Sequence, residues 1–444
     1  MANTTTTRRA TFQPVTTLEV SIWDTRVGAV ALDPATGHYA FEYAQPFLAS
    51  GLDLAPIAMP LSRGAGPYVF LDLPEATFYR LPALLADALP DRFGNALIDA
   101  WMATHGVTTQ NITALDRLAY MSTRGMGALT FRPARGPRRS ISTAVELASL
   151  VAAARKTVSG ELHTDDLTRA ALNQIIQLGT SAGGARAKAV IAWNPGTKEI
   201  RSGQFDVPAG FEAWLLKFDG VRPHDKDLGP SETYGRIEYA YHLMAREAGI
   251  HMTDCQLLEE SGRAHFMTRR FDRDAGNARH HMQTLGALAH MDYNLIGVHS
   301  YNQLFNTIQT LGLGRAAMVE ALRRMIFNVA AGNRDDHPKN FSFLIRQGTR
   351  QWELAPAYDV TFAYNAANKW TAKHLMSVNG KFEGITRDDI RSVADQYALL
   401  ADLGPALNRV QAAVDRWLVH AAAAQVVAEE ANHVGAALKQ LRLA

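Results

Sequence analysis

A chain of 444 residues with 47% hydrophobic side chains holds material for two or three packed domains, which excludes a disordered or fibrous protein. Its 45 basic and 43 acidic side chains nearly cancel, so composition excludes a uniformly cationic surface built for nucleic acid or an anionic membrane. Cys255 is the only cysteine, which excludes an intramolecular disulfide and fits a reducing cytoplasm.

In chain order, the polar, threonine-rich start reads as a disordered tail over residues 1–14, without the apolar stretch of a secretory signal. Short β-rich bursts follow between Leu18 and Ala44, with a Pro34-Ala35-Thr36-Gly37 turn, and predict a small antiparallel sheet. Helical spacing appears at Ala83 to Ala88, at Phe93 to Thr104 after a Pro90-Asp91 start signal, and at Ile112 to Met121. Arg132, Arg135, Arg138 and Arg139 lie among Pro133, Gly136 and Pro137, a composition that reads as an exposed connection at a domain boundary. After helices near Ala144 to Arg155 and Asp166 to Leu178 comes the small-residue run Gly179 to Lys188, leading into a strand at Ala189 to Trp193. A second strand at Trp214 to Phe218, a helix at Gly235 to Glu247 and a β segment at Met267 to Phe271 complete a lobe like the nucleotide-holding lobe of a kinase. From Gly276 onward helical patterns dominate: Arg315 to Val329, a helix through Ala398 capped by Thr386 and Asp389, Pro405 to Ala424 and Val426 to Leu441. Leu418 to Ala428 is apolar but short and flanked by charges, so no membrane span is expected.

The expected fold is α+β, a protein-kinase-like two-lobed fold with a small N-terminal β-rich subdomain and an all-α C-terminal lobe. The expected boundaries are residues 15–135 for the subdomain, 140–275 for the nucleotide lobe and 276–444 for the helical lobe.

The chemistry concentrates in Asn333-Arg334-Asp335-Asp336-His337-Pro338-Lys339-Asn340, where an aspartate precedes an asparagine by five residues and Asp359 follows nineteen further on. Phosphoryl transfer needs a backbone cradle for phosphates, a fixed cation, oxygen ligands for magnesium and a carboxylate to orient the acceptor hydroxyl. Gly183 and Gly184 can let backbone amides approach a phosphate, because glycine has no Cβ. Lys217, central in an apolar strand, is the phosphate lysine, and Glu238 on the next helix is in order to pair with it. Asp335 takes the catalytic place, and Asn340 and Asp359 the magnesium places. A hydrolytic metal site around Asp335, Asp336 and His337 is a competing reading, with His280, His281 and His290 as further candidates whose spacing matches no motif.

Taken with the Ser181 to Lys188 loop, Leu216-Lys217, Glu238-Tyr239, Arg270-Phe271-Asp272-Arg273, Asp335 to Phe341 and Pro356-Ala357-Tyr358-Asp359, most of the chain resembles the HipA family of bacterial serine/threonine kinases. These are toxins of type II toxin–antitoxin pairs. The resemblance implies ATP and Mg2+ as cofactors, with Asp335, Lys217 and Glu238 catalytic and Asn340 and Asp359 on the metal. It implies nucleotide contacts from Ser181, Gly183, Gly184, Ala185, Arg186 and Lys188 in the loop, from Lys217, from Arg269, Arg270 and Phe271 near the adenine, and from His337 and Lys339 beside the phosphates. It further implies autophosphorylation of Ser181 in the loop, with Thr180 as the neighbouring alternative. The implied partners are a protein substrate such as an aminoacyl-tRNA synthetase and a helix-turn-helix antitoxin, with DNA reached only through the antitoxin. The chain departs from the family at Arg186-Ala187, where Gln-Glu is common, and at Arg269, where an acidic residue is usual. A small-molecule phosphotransferase of aminoglycoside type and a catalytically inactive regulatory binding module are the alternatives.

Overall fold

The computed structural model describes residues 12–137, 147, 149, 151, 187–219 and 233–443. The expected tail up to residue 11, most of the two helices expected between 144 and 178, and the glycine-loop residues Thr180, Ser181, Gly183, Gly184, Ala185 and Arg186 lie outside them.

The N-terminal region is built on a four-stranded antiparallel sheet ordered Tyr39–Tyr43, Thr25–Leu32, Thr17–Ile22, Leu129–Arg132. Along Thr17–Ile22 every second residue is buried, Leu18, Val20 and Ile22, the period expected of a sheet with one covered face. Helix Arg92–Thr104 starts where Pro90-Asp91 signals it, with the Asp91 side chain accepting from the Gly94 amide at 2.8 Å. Helix Ala114–Met121 begins two residues later than the spacing suggested, because Thr113 and Asp116 close a capping box there. Arg132 belongs to the sheet, so the exposed connection starts after it.

The second sheet has five antiparallel strands ordered Ile200–Ser202, Lys188–Trp193, Glu212–Lys217, Arg263–Arg269, Cys255–Glu260. The last of these was not anticipated. Its hairpin turns through Ser261 and Gly262, both at positive φ, and the Ser-Gly pair is a weaker sequence signal than Asn-Gly. Helix Tyr234–Glu247 packs across this sheet at unusually close range: a Cβ on Gly235 would lie 2.1 Å from the Ala264 carbonyl oxygen.

The C-terminal region is mainly helical, with Tyr301–Thr310, Arg315–Ala330, Arg387–Gln396, Leu400–Asp415, Trp417–Ala423 and Ala428–Gln440 around one large apolar core. The all-α expectation for this lobe needs correction. It also carries a three-stranded antiparallel sheet, His281–Thr284, Ser342–Ile345 and Trp352–Leu354, and a two-stranded parallel pair, His299–Ser300 with Met376–Ser377. These strands have two to four residues, and Ser342–Ile345 is buried throughout, so no alternation marks them in the sequence. The Thr386–Asp389 capping box forms as read. Pro405, by contrast, lies inside helix Leu400–Asp415 rather than at its start.

Candidate functional site

The site forms where the five-stranded sheet faces the loop after helix Arg315–Ala330. Lys188 and Lys217 sit directly opposite each other on adjacent antiparallel strands, and both are buried. Two like charges in that register repel, so the arrangement requires carboxylates between them. Glu238 and Asp359 provide these. The Lys217 ammonium bonds to both, and Lys188 lies 3.8 Å from the second oxygen of Asp359. Burial alone would push the Asp359 carboxyl up, but Lys188 and Lys217 together hold it well below the usual carboxylate range. For Lys217, burial works against the charged form, and Asp359 and Glu238 outweigh it, so the ammonium is held above its ordinary value. Asp359 itself has φ +52°, a left-handed backbone that aspartate tolerates and that concentrates at functional sites.

The segment Asn333 to Asn340 is fixed from behind. Asp336 is fully buried and accepts from Tyr301 Oη at 2.8 Å, His374 Nδ1 at 2.9 Å and the Leu375 amide at 2.8 Å, which makes it an anchor and removes it from any metal. Arg334 lies 4.0 Å over the Tyr364 ring and donates to the Ala372 carbonyl. Asn340 Nδ2 donates to the Asp335 carbonyl at 2.7 Å, so its amide oxygen is the atom left to face outward. Asp335, between these anchors, keeps a half-exposed carboxylate with His337 Nε2 3.6 Å away. Tyr358 ties this segment to its neighbour by donating to the Lys339 carbonyl at 2.7 Å and touching Ser342. Tyr293 packs against the His337 ring at 5.7 Å and under the Lys339 ammonium at 4.9 Å.

An amide oxygen from Asn340 and a carboxylate from Asp359 are hard donors, and they fit magnesium, which prefers one or two protein oxygens with the remainder from water and phosphate. Among the described residues no group of three His, Cys, Asp or Glu side chains converges on a metal position. The histidines weighed for a hydrolytic metal are engaged elsewhere. His280 is held by Asp274 at 2.8 Å, His281 packs on Trp352 and His290 packs on Phe70.

A cleft opens beside the charged cluster, lined by Lys188, Lys217, Glu238, Lys339, Asn340 and Asp359 together with apolar groups such as Leu215, Met252 and Phe266. Arg269 and Phe271 also line it, Phe271 packing on Tyr358. Arg270 lines it too, but its guanidinium is turned away and spent on Asp272 at 2.8 and 2.7 Å. Asp272 also receives Arg273 at 2.7 Å and the Gly127 amide at 2.7 Å, so this part of the motif bolts the N-terminal region to the sheet. The sequence reading missed that the N-terminal region forms one wall of the cleft, through Leu84, Asp87, Ala88, Met126 and Leu129. Only the charge of Asp87 next to the apolar run Ala83 to Ala86 signalled it.

A two-lobed, kinase-like architecture with a lysine–glutamate pair and a carboxylate–amide pair across a cleft is the class defined by this fold and site. Residues 18–132 match the HipA N-terminal domain and residues 180–430 the HipA-like C-terminal domain, and the chain belongs to the HipA-like family. Among solved structures it is similar to a HipA of Shewanella oneidensis MR-1 determined with HipB and operator DNA. The TM-score is 0.65 at 17% identity, over 96% of this chain and 95% of that one. A Helicobacter pylori proinflammatory kinase, CtkA, aligns with a TM-score of 0.35 and 12% identity over 53% of this chain and 87% of its own, too distant to argue from. No curated protein matches the chain.

Proposed function

We propose that this protein is an ATP- and Mg2+-dependent serine/threonine-protein kinase, the toxin of a type II toxin–antitoxin pair. The observation that carries the reading is the convergence of Lys217 on both Glu238 and Asp359 in a cleft that Asn340 also lines, with the half-exposed Asp335 carboxylate on the same short segment as Asn340. Magnesium bound with ATP supplies charge neutralisation across the phosphates, and Asn340 and Asp359 are the side chains that would hold it. Asp335 accepts the hydrogen bond of the acceptor hydroxyl and points its oxygen at the phosphorus. Lys217 is kept charged and aimed by Glu238, and the apolar walls exclude water from the transfer. The residues 181–188 supply the phosphate loop, and Ser181 is the residue for autophosphorylation. Family membership supports a protein acceptor in translation, such as an aminoacyl-tRNA synthetase. It also supports a helix-turn-helix antitoxin as partner, with DNA bound through that partner.

Purified chain incubated with labelled ATP, Mg2+ and cell lysate should label itself and an acceptor protein. Asp335→Asn should lower the rate by roughly 10²–10⁴-fold, the range for a positioned acid–base group. A wild-type chain that transfers no label to itself or to any lysate protein would refute the reading.

A further inference from the structure

Of the large apolar side chains that lie exposed among the described residues, three fall within four consecutive positions: Leu295 at 45%, Ile296 at 41% and Val298 at 59%. Scattered exposed aliphatics are ordinary, but a cluster on one turn marks an interaction surface. The turn is also pinned on both sides, so its apolar groups are held outward. Asp292 accepts from Thr77 Oγ1 of the N-terminal region and from the Asn294 amide at 3.0 Å. Asn294 Nδ2 donates to the same Thr77 Oγ1 at 2.8 Å, and His299 Nε2 donates to the Asp292 carbonyl at 2.7 Å.

The turn adjoins the segment that carries Asp335. Tyr293, two residues before Leu295, packs on the His337 ring at 5.7 Å and under the Lys339 ammonium at 4.9 Å, and His337 Nε2 lies 3.6 Å from the Asp335 carboxylate. An extended chain advances about 3.3 Å per residue, so a peptide with its hydroxyl at Asp335 brings a residue a few positions away over the turn. Residues 293–298 carry no charge, so the turn itself offers nothing to a nucleic acid or an anionic lipid surface. Three part-exposed aliphatic side chains present on the order of 150 Å² of apolar surface, far below the roughly 800 Å² per partner of a stable dimer. That area suits one or two side chains of a bound segment.

We infer that the turn 293–298 is a docking surface for the protein acceptor, and that it selects a segment carrying a large aliphatic side chain a few residues from the accepting hydroxyl. Contacts made there are remote from the reacting atoms and alike in ground and transition states, so they act on KM and leave kcat unchanged.

This inference rests on the kinase reading, and the test separates the two. Synthetic peptides with a central serine, and a single leucine moved position by position through a polar background, are presented to the full-length protein with ATP and Mg2+, and self-labelling is followed in the same reactions. Leucine at one or two positions should lower the peptide KM by about 10–100-fold relative to glycine there. The combined variant Leu295→Ser, Ile296→Ser, Val298→Ser should abolish that preference with kcat and self-labelling unchanged. Leu418→Ser with Val419→Ser, exposed on helix Trp417–Ala423, should keep it. A wild type that labels itself but shows no leucine preference, or a preference that the triple variant retains, would overturn the inference and leave the kinase reading standing. A triple variant with lower kcat and weaker self-labelling would overturn it too, because the turn would then serve to support Tyr293 rather than to meet an acceptor. Sedimentation showing a wild-type dimer that the triple variant dissolves, with peptide preference intact, would assign the turn to a second copy instead. An inactive wild type would refute the kinase reading and the inference with it.

Discussion

At the scale of single residues, the site is a balance of buried charges, and each is intelligible only through its partner. Lys217→Met removes the cation shared by the buried Glu238 and the partly buried Asp359, which retains Lys188 at 3.8 Å. Breaking a buried pair by deleting one partner costs about 3–5 kcal/mol, so urea denaturation should show a loss of that size alongside loss of transfer. His281 illustrates the opposite case, a base kept neutral. It is fully buried, and burial lowers its pKa to about 3. The unfolded chain therefore takes up a proton below its ordinary value of 6.5 while the folded chain does not, and stability falls as pH drops through that window. Replacing it by leucine should remove about 2 kcal/mol of the stability lost between pH 7 and pH 5, read from urea midpoints of the two proteins at both pH values.

At the scale of elements, the close approach of helix Tyr234–Glu247 to strand Arg263–Arg269 delivers Glu238 to Lys217. Gly235→Ala would place a methyl 2.1 Å from the Ala264 carbonyl oxygen, and backbone rather than a flexible side chain must yield. The expected cost is about 1–3 kcal/mol of overpacking, with a disproportionate loss of ATP affinity because the helix is displaced from the lysine it aims. Denaturation curves and nucleotide titration on the same variant check both parts. This helix, the strands Lys188–Trp193 and Glu212–Lys217, and the order Lys217, Glu238, Asp335, Asn340, Asp359 were legible in the sequence, because each carries a period or a spacing set by local chemistry. What was not legible depended on distant partners. The Cys255–Glu260 strand exists as the edge of a sheet, Ser342–Ile345 is apolar without alternation, and the Arg270 side chain is committed to Asp272 rather than to the cleft.

At the scale of the whole molecule, the N-terminal domain and the kinase-like body are joined by charge as well as by apolar packing. Asp272 is fully buried and collects Arg270, Arg273 and the Gly127 amide, while Trp23 Nε1 donates to the Arg279 carbonyl at 2.6 Å and Trp352 Nε1 to the Asp53 carbonyl at 3.2 Å. Ala287 and Ile345 of the C-terminal region complete the N-terminal core. Interfaces of this kind, desolvated and hydrogen-bonded from both sides, unfold with the domains they join rather than before them. Calorimetry of the wild type should accordingly show one transition. Burial alone would raise the Asp272 carboxyl, yet Arg270 and Arg273 hold it well below the usual carboxylate range, so its contribution persists above the unfolded value of 3.8 and is lost only as the solution is acidified further. Asp272→Asn should strand two guanidinium groups at a cost of about 3–5 kcal/mol and split the calorimetric transition in two, the N-terminal domain melting first. A single transition shifted down by that cost would instead mean that apolar packing through Phe93, Leu97 and Ala100 suffices to keep the domains coupled.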